Sequence, residues 1–156
     1  MVFSLDILEV CMVWLRNATK DDYSLDLDVN EEQRQFVASY KSILDYAFIE
    51  QDKEHTHAYI VCEDDVAVGV VEYSDLYEIM AYNLSYIFID CRYQSKGYGL
   101  KAVQQLLQKL RQEKKFDKVS VTLFEKNEVA RKLYEKVGFI PNGFVFEDEY
   151  DMEMSI

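Results

Sequence analysis

The order of elements along this 156-residue chain predicts a mixed α/β (α+β) fold with antiparallel meanders and one or two crossovers. Three observations carry that expectation. Apolar residues recur at helical spacing behind Asn30 and again behind Gly99. Between these stretches Val66, Val68 and Val70 alternate beside a second β-branched run at 57–62, as in a hairpin. The run Leu84–Asp90 then leads through a glycine-bearing loop, Gln94-Ser95-Lys96-Gly97-Tyr98-Gly99, straight into the second helix.

Residues 1–10 read as an N-terminal extension or as part of the first strand, which is placed at Met12–Arg16. Thr19 offers a helix cap with Asp21 and Asp22 in the first turn. Asn30-Glu31-Glu32-Gln33 is a stronger start signal. Behind it Phe36, Val37, Tyr40, Ile43, Leu44, Ala47 and Phe48 share one face, which predicts an amphipathic helix to about Phe48. Glu50–Thr56 reads as a loop, His57–Cys62 as a strand, Glu63-Asp64-Asp65 as a turn and Val66–Tyr73 as the returning strand. Gly69 within that strand marks a bulge or a close backbone approach. Asp75–Tyr82 reads as a connection, and 84–113 as strand, loop and helix, with Leu100, Val103, Leu106, Leu107 and Leu110 on the apolar face. In Lys118–Phe124, Val119, Val121 and Leu123 alternate with Ser120 and Thr122, which predicts a strand. Asn127 caps a helix whose Ala130, Leu133, Tyr134 and Val137 share a face; Gly138 stops it and Pro141 lies beyond. Phe144–Phe146 and Met152–Ile156 close the chain as a strand pair. No repeat, linker or low-complexity segment divides it, so a single domain over 1–156 is expected.

Composition narrows the function. With 49% apolar residues, 12 tyrosines and 9 phenylalanines, disorder is excluded. A net charge of −12 argues against nucleic acid and anionic membranes as partners, and is compatible with a small cationic one. Cys11, Cys62 and Cys91 are odd in number and form no CxxC pair. Free thiols in a reducing, cytoplasmic compartment fit that pattern; a disulfide framework or a metal site does not. Met1–Val13 is interrupted by Asp6 and Glu9 and lacks a basic leader, so neither a signal peptide nor a membrane span is expected.

A strand–loop–helix junction aims backbone N–H groups and the positive end of a helix dipole at one point. The loop Gln94–Gly99 is therefore either a pyrophosphate site or a tight connection with no ligand, and on its own it leaves both open. It lacks the Gly-x-Gly-x-x-Gly dinucleotide spacing and the Walker Gly-Lys-Ser/Thr ending, which disfavours both kinds of nucleotide-binding domain.

Two motifs carry a resemblance. Gln94-Ser95-Lys96-Gly97-Tyr98-Gly99 is similar to the Q/R-x-x-G-x-G/A loop of the GNAT N-acetyltransferases. Asn127-Glu128-Val129-Ala130-Arg131-Lys132-Leu133-Tyr134-Glu135-Lys136-Val137-Gly138-Phe139 resembles that family's N-x-x-A-x-x-x-Y-x-x-x-G-F, about thirty residues further on. The resemblance covers roughly residues 11–156. It implies the GNAT acyltransferase fold, a mixed, mostly antiparallel central sheet flanked by about four helices, with acetyl-CoA as co-substrate and no metal. Glu32-Gln33-Arg34-Gln35-Phe36-Val37-Ala38-Ser39, then Ser42 and Tyr46-Ala47, together with Phe88-Ile89-Asp90, look most like the bacterial spermine/spermidine-type members.

Acetyl transfer to an amine needs a held thioester, a neutral nucleophile, stabilisation of the carbonyl oxygen and a proton for the departing thiolate. By the resemblance, Gln94, Ser95, Lys96, Gly97, Tyr98, Gly99 and Leu100 would hold the pyrophosphate, with Lys96 adding a screened charge. The backbones of Phe88 and Ile89 would pair with the pantetheine arm, the Ile89 N–H facing the thioester oxygen. Asn127 would either bond the cofactor amide as well as cap its helix, or cap only. Tyr134 matches the family's general acid; read from its helix face alone, it is a core tyrosine. The base is chosen as Glu72, with Tyr82, Asp75 and Glu78 as alternatives, each set against a solvated loop side chain. The position that carries a glutamate in some polyamine-acetylating relatives falls on Ser85, so that base does not transfer. His55 and His57 read as structural and Cys91 as packing.

The leading expectation is an N-acetyltransferase acting on a primary amine of a small polycation such as spermidine or spermine. An aminoglycoside, another small amine or a protein N-terminus is the alternative acceptor, and a non-catalytic acetyl-CoA-binding module the alternative class. An edge formed by the last strands could support a homodimer, which the sequence does not decide.

Overall fold

The computed structural model describes residues 12–50 and 53–156. The expected extension at 1–10, Cys11 and residues 51–52 of the expected loop lie outside them.

Seven strands form one sheet: β1 (Val13–Asn17), β2 (Thr56–Glu63), β3 (Val66–Leu76), β4 (Ala81–Ile89), β5 (Lys118–Phe124), β6 (Ile140–Phe146) and β7 (Glu149–Ser155). Three α-helices accompany them: α1 (Tyr40–Phe48), α2 (Tyr98–Glu113) and α3 (Glu128–Val137). The spatial order is β1-β2-β3-β4-β5-β7-β6, antiparallel throughout except between β4 and β5. The α2 crossover makes that one parallel pairing, as a strand–helix–strand connection must. The expected order of elements is thus borne out, as is the mostly antiparallel mixed sheet.

Three readings are corrected. The helix expected from Asn30 to Phe48 is a 3-10 turn at Gln33–Gln35 followed by α1, which starts only at Tyr40 with Ser39 as its cap. Tertiary contacts override the helical period here. The Gln33 side chain exchanges hydrogen bonds with Gln94 (3.0 and 2.8 Å) instead of reaching back over its own turn. Phe36 leaves the turn to meet the ring of Phe124 at the end of β5. The start at Thr19 is likewise a 3-10 turn, Lys20–Ser24, closed by a capping box in which the Thr19 N–H donates to Asp22 (2.7 Å). The expected connection at 75–82 is mostly strand, since β3 runs to Leu76 and β4 begins at Ala81.

The sheet is covered on both faces. On one, Leu27, Val29 and α1 residues Tyr40, Ile43 and Leu44 pack on Ile60, Cys62, Val70 and Phe88. On the other, Val103, Leu106, Leu107 and Leu110 of α2 and Tyr134 of α3 pack on Val71, Tyr73, Leu84, Val119, Val121 and Met152. Burial on both faces explains why β3 reads as a continuous apolar run rather than a clean alternation. Gly69 sits where β2 and β3 slip register, between Val61 and Cys62. A Cβ there would overlap the backbone carbonyl of Phe88, so the suspected close approach is real. Outermost, β6 is exposed along its length, Ile140, Phe144, Val145 and Phe146 included. It pairs with β7 only near its ends, with Gly143 at φ 92° in the interruption. No helix among the described residues is long and apolar enough to cross a membrane.

Gly69→Ala must push β3 away from β4. A loss of about 2 kcal/mol of unfolding free energy in urea is expected, and an unchanged midpoint would contradict the close approach.

Candidate active site

The feature that shapes the site is the parting of β4 from β5. Their ladder holds two register pairs, Tyr82–Val119 and Asn83–Ser120, and no more. Beyond Asn83, β4 continues to pair with β3 on one side, through Leu84, Tyr86, Ile87, Phe88 and Ile89. Its other edge faces the gap. Buried backbone groups need partners, so this edge suits an extended chain carrying amides, which can add as a strand.

At the far end of that edge the chain turns through Cys91–Tyr93, capped by Asp90. Asp90 is 2% exposed, yet both carboxyl oxygens are engaged. Arg92 donates from its backbone N–H (2.9 Å) and from Nε (2.8 Å), and the Asp28 N–H donates at 2.9 Å. Burial works against the charge, but these donors outweigh it and hold the carboxyl below the usual range. The Cys91 N–H in turn donates to the Asp28 carbonyl. Cys91 itself is exposed, which corrects the packing role expected of it.

The loop then enters α2. Gln94 turns inward, donating to the Ile89 carbonyl (2.8 Å), so its side chain braces the loop. Ser95 (φ 63°) and Gly97 (φ 81°) both take left-handed backbone, and a Cβ at 97 would meet nothing within 4 Å. Gly97 is thus required by its φ and leaves open space above it. Lys101 is the first α2 residue to bond back, to the Gly97 carbonyl, so the N–H groups of Gly99 and Leu100 precede the helical ladder. The two glycines differ. A Cβ at 99 would lie 3.1 Å from Leu133, which shows that Gly99 serves the contact of α2 with α3 rather than a ligand's approach. The Tyr98 ring is buried with Val13, Val61, Val68 and Ala102, leaving only its backbone for any ligand. Lys96 is exposed, its Nζ 5.9 Å from the Tyr93 ring centre.

Asn127 caps α3 through the Ala130 N–H (3.3 Å). Tyr134 is 3% exposed, edge-on to Phe139, in the apolar cluster that also holds Leu84 of β4 and Leu123 of β5. Burial pushes its phenol up, so it keeps its proton at any physiological pH.

Glu72 lies in mid-strand, 2% exposed, paired in register with Tyr86 of β4 and Ala58 of β2. Alternation from Val70 puts it on the α1 face. Its Oε2 is buried without a hydrogen-bond partner, and burial raises its pKa to about 8. The alternative bases fare worse. Asp75 is no solvated loop residue: it is 5% exposed in β3 and paired with Lys115 (2.7 Å) and His57 (3.1 Å). Tyr82 is buried, its oxygen accepting from the Lys115 N–H (3.0 Å), and Glu78 lies exposed in the β3–β4 turn. Ser85 is the extra residue where β4 slips register between Glu72 and Tyr73. Sequence reasoning gave Arg92 no role and named Asp90 and Gln33 for other reasons. The ties of Asp90 to Asp28 and of Gln33 to Gln94 each span more than sixty residues, while Arg92 bonds Asp90 from two residues away.

The architecture and the comparisons agree. The model of the acetyltransferase (GNAT) family matches residues 18–139, and the chain belongs to that family. It is an acetyl-CoA-dependent N-acetyltransferase by that membership. It is 33% identical over 129 residues to the spermine/spermidine N(1)-acetyltransferase of Bacillus subtilis, covering 76% of this chain and 80% of that one. Its fold matches a domain from Methanocaldococcus jannaschii (TM-score 0.75, 19% identity, 94% of this chain and 99% of that one). It also matches the Vibrio cholerae spermidine N-acetyltransferase solved with CoA and spermine (TM-score 0.73, 18% identity, 92% and 95%).

The raised Glu72 pKa carries a stability consequence. In the unfolded chain this carboxyl ionises near 4.5, in the folded one near 8. Its contribution is therefore whole below about pH 4.5 and is lost as pH rises to about 8, by about 1.4 kcal/mol for each pH unit of difference. Glu72→Gln escapes this loss. Urea unfolding should find the variant more stable than wild type at pH 9 and the gap closing towards pH 5.

Proposed function

We propose that the chain acetylates a primary amine of a small polycation such as spermidine or spermine, with Glu72 as base and Tyr134 as acid. The observation that carries this reading is the buried Glu72 carboxyl, its Oε2 unpartnered, which lies across β4 from the open edge. Kinship with a spermine/spermidine acetyltransferase supports the acceptor, and the net charge of −12 favours a cation over an anion.

Acetyl-CoA supplies an acetyl group activated as a thioester. The open backbone edge at Phe88 and Ile89 pairs with its pantetheine arm, and the Ile89 N–H faces the carbonyl oxygen. The first turn of α2, from Gly97 through Tyr98, Gly99 and Leu100, takes the pyrophosphate on backbone N–H groups, with Ser95 and Lys96 at the rim. Gln94 holds this loop in shape through Ile89, and Asn127 adds its amide at the start of α3. The amine arrives as an ammonium, because its own pKa lies well above 7. Glu72 takes one proton onto its carboxylate, which leaves a nitrogen lone pair free to attack. A base with a pKa near 8 is well matched to that task. Tyr134 gives its phenolic proton to the departing sulfur, its buried ring keeping that proton in place until then. The second proton that the nitrogen sheds as the amide forms passes through solvent and restores the phenol.

A thiol-release assay over an amine panel tests the acceptor. Spermidine turnover supports the reading; turnover of another amine alone, or acetyl-CoA binding without turnover, overturns it. In wild type, kcat/KM for the amine should rise with pH and level off near 8, as Glu72 ionises. Glu72→Gln should flatten that rise and cut kcat about a hundredfold. Tyr134→Phe should cut kcat to a similar degree with the KM for acetyl-CoA within about twofold; full turnover across pH would remove Tyr134 from the mechanism.

A further inference from the structure

Above Glu72 stand two tyrosines that the mechanism does not use. Tyr86 is the register partner of Glu72 on β4 and projects to the same face. Tyr46 reaches it from the second half of α1, and the two rings lie nearly parallel, at 8°, with centroids 6.0 Å apart. Tyr86 is half-buried while Tyr46 is 38% exposed, so the pair runs from solvent down to the carboxylate. The Glu72 oxygen below is buried and without a partner. Among the described residues these groups are two phenol rings and one carboxyl, and no Lys or Arg bonds any of them. Burial first, then the proximity of Tyr46 and of Glu72, pushes the Tyr86 phenol up, so its hydroxyl is presented uncharged.

Such a surface recognises one chemistry. Phenol rings attract an alkylammonium through their π faces, phenol oxygens accept its N–H groups, and an unpaired carboxylate at the bottom receives the charge. An anion meets no cationic side chain there, and a neutral acceptor gains no charge pairing from the carboxylate. We propose that Tyr46 and Tyr86 form, with Glu72, the subsite that selects a primary alkylammonium and positions its nitrogen for deprotonation. This rests on the reading of Glu72 as proton acceptor. In the bound state the ammonium N–H lies against Glu72 and holds it ionised; as the nitrogen attacks, that proton passes to the carboxylate, leaving a neutral amine and a neutral carboxylic acid. The rings are positioning residues and take no proton.

The test uses Tyr46→Leu, Tyr86→Leu, Tyr86→Phe and, as a control, Tyr77→Leu at an exposed ring on the β3–β4 turn. Each is assayed with the best amine of the panel, after thermal melts confirm folding. The Leu variants should raise the amine KM about tenfold, with kcat within about threefold and the KM for acetyl-CoA unchanged. Tyr86→Phe, which keeps the ring, should recover most of the affinity, and Tyr77→Leu should match wild type. An unchanged amine KM in both Leu variants, or equal rises in the two KM values, overturns the subsite while leaving acetyl transfer to polyamines standing. A readout independent of turnover is the carbon-13 carboxyl signal of Glu72 at pH 7.5. Spermidine should move it towards the ionised position in wild type and leave it in place in the double Leu variant. Movement in both, or in neither, overturns the proposal.

Discussion

Two register pairs join the halves of this sheet, and the rest of the molecule is arranged around how little they hold. The β1–β4 meander and the β5–β7 unit meet at Tyr82–Val119 and Asn83–Ser120, where the Ser120 hydroxyl donates to Asn83 (3.2 Å). Past that point the strands diverge, and the cohesion lost between them is made up on the two faces. Below, α2 and α3 bridge the gap through the cluster that unites Leu84, Val121 and Tyr134. Above, the irregular segment before α1 crosses it, tied to the β4 side by the Gln33–Gln94 pair and to the β5 side by Phe36 on Phe124. A continuous helix could not make both contacts. The broken helix and the open edge are therefore one feature seen from two sides.

Two buried acids show how the same fold sets opposite protonation states. Asp90 and Glu72 are each 2% exposed. Asp90 is surrounded by donors from its own turn and from Asp28, so the charge is kept and its pKa falls. Glu72 has strand neighbours whose N–H groups serve the sheet, so the charge is disfavoured and its pKa rises to about 8. Desolvation is common to both; the number of donors decides the sign. One acid builds the loop, and the other is left poised to exchange a proton.

Much of this was legible in the residues. The order of elements, the α2 helix, the α3 helix with its Asn127 cap, and the loop at 94–99 follow from local signals of period, glycine and Asn127, all close in sequence. Gly69 was legible as a bulge or a close backbone approach, and both are present: it flanks the register slip of β2 and β3, and a Cβ there would overlap the Phe88 carbonyl. What escaped was set by distant partners. Gln33 looked like a capping residue and became a tie to Gln94. Asp75 looked solvated and is buried, because Lys115 forms an ion pair with it and His57 hydrogen-bonds it from elements that no local pattern links. Gly97 and Gly99 looked alike, yet one answers to its φ and the other to Leu133. Glu72 could be chosen from the sequence as a carboxylate in a strand, but its lack of a partner is a property of the folded surroundings alone.

The outermost strand has a bearing on behaviour at high concentration. β6 presents Phe144, Val145 and Phe146 to solvent on a sheet edge, the kind of feature that invites another chain to add on and the sheet to grow without limit. Pro141 removes a donor from that edge, and the left-handed Gly143 breaks its line midway. Glu147, Asp148 and Glu149 then crowd negative charge at its end. An incoming strand finds only short, interrupted stretches to bond, so the edge resists fibrous stacking while its apolar side chains stay uncovered.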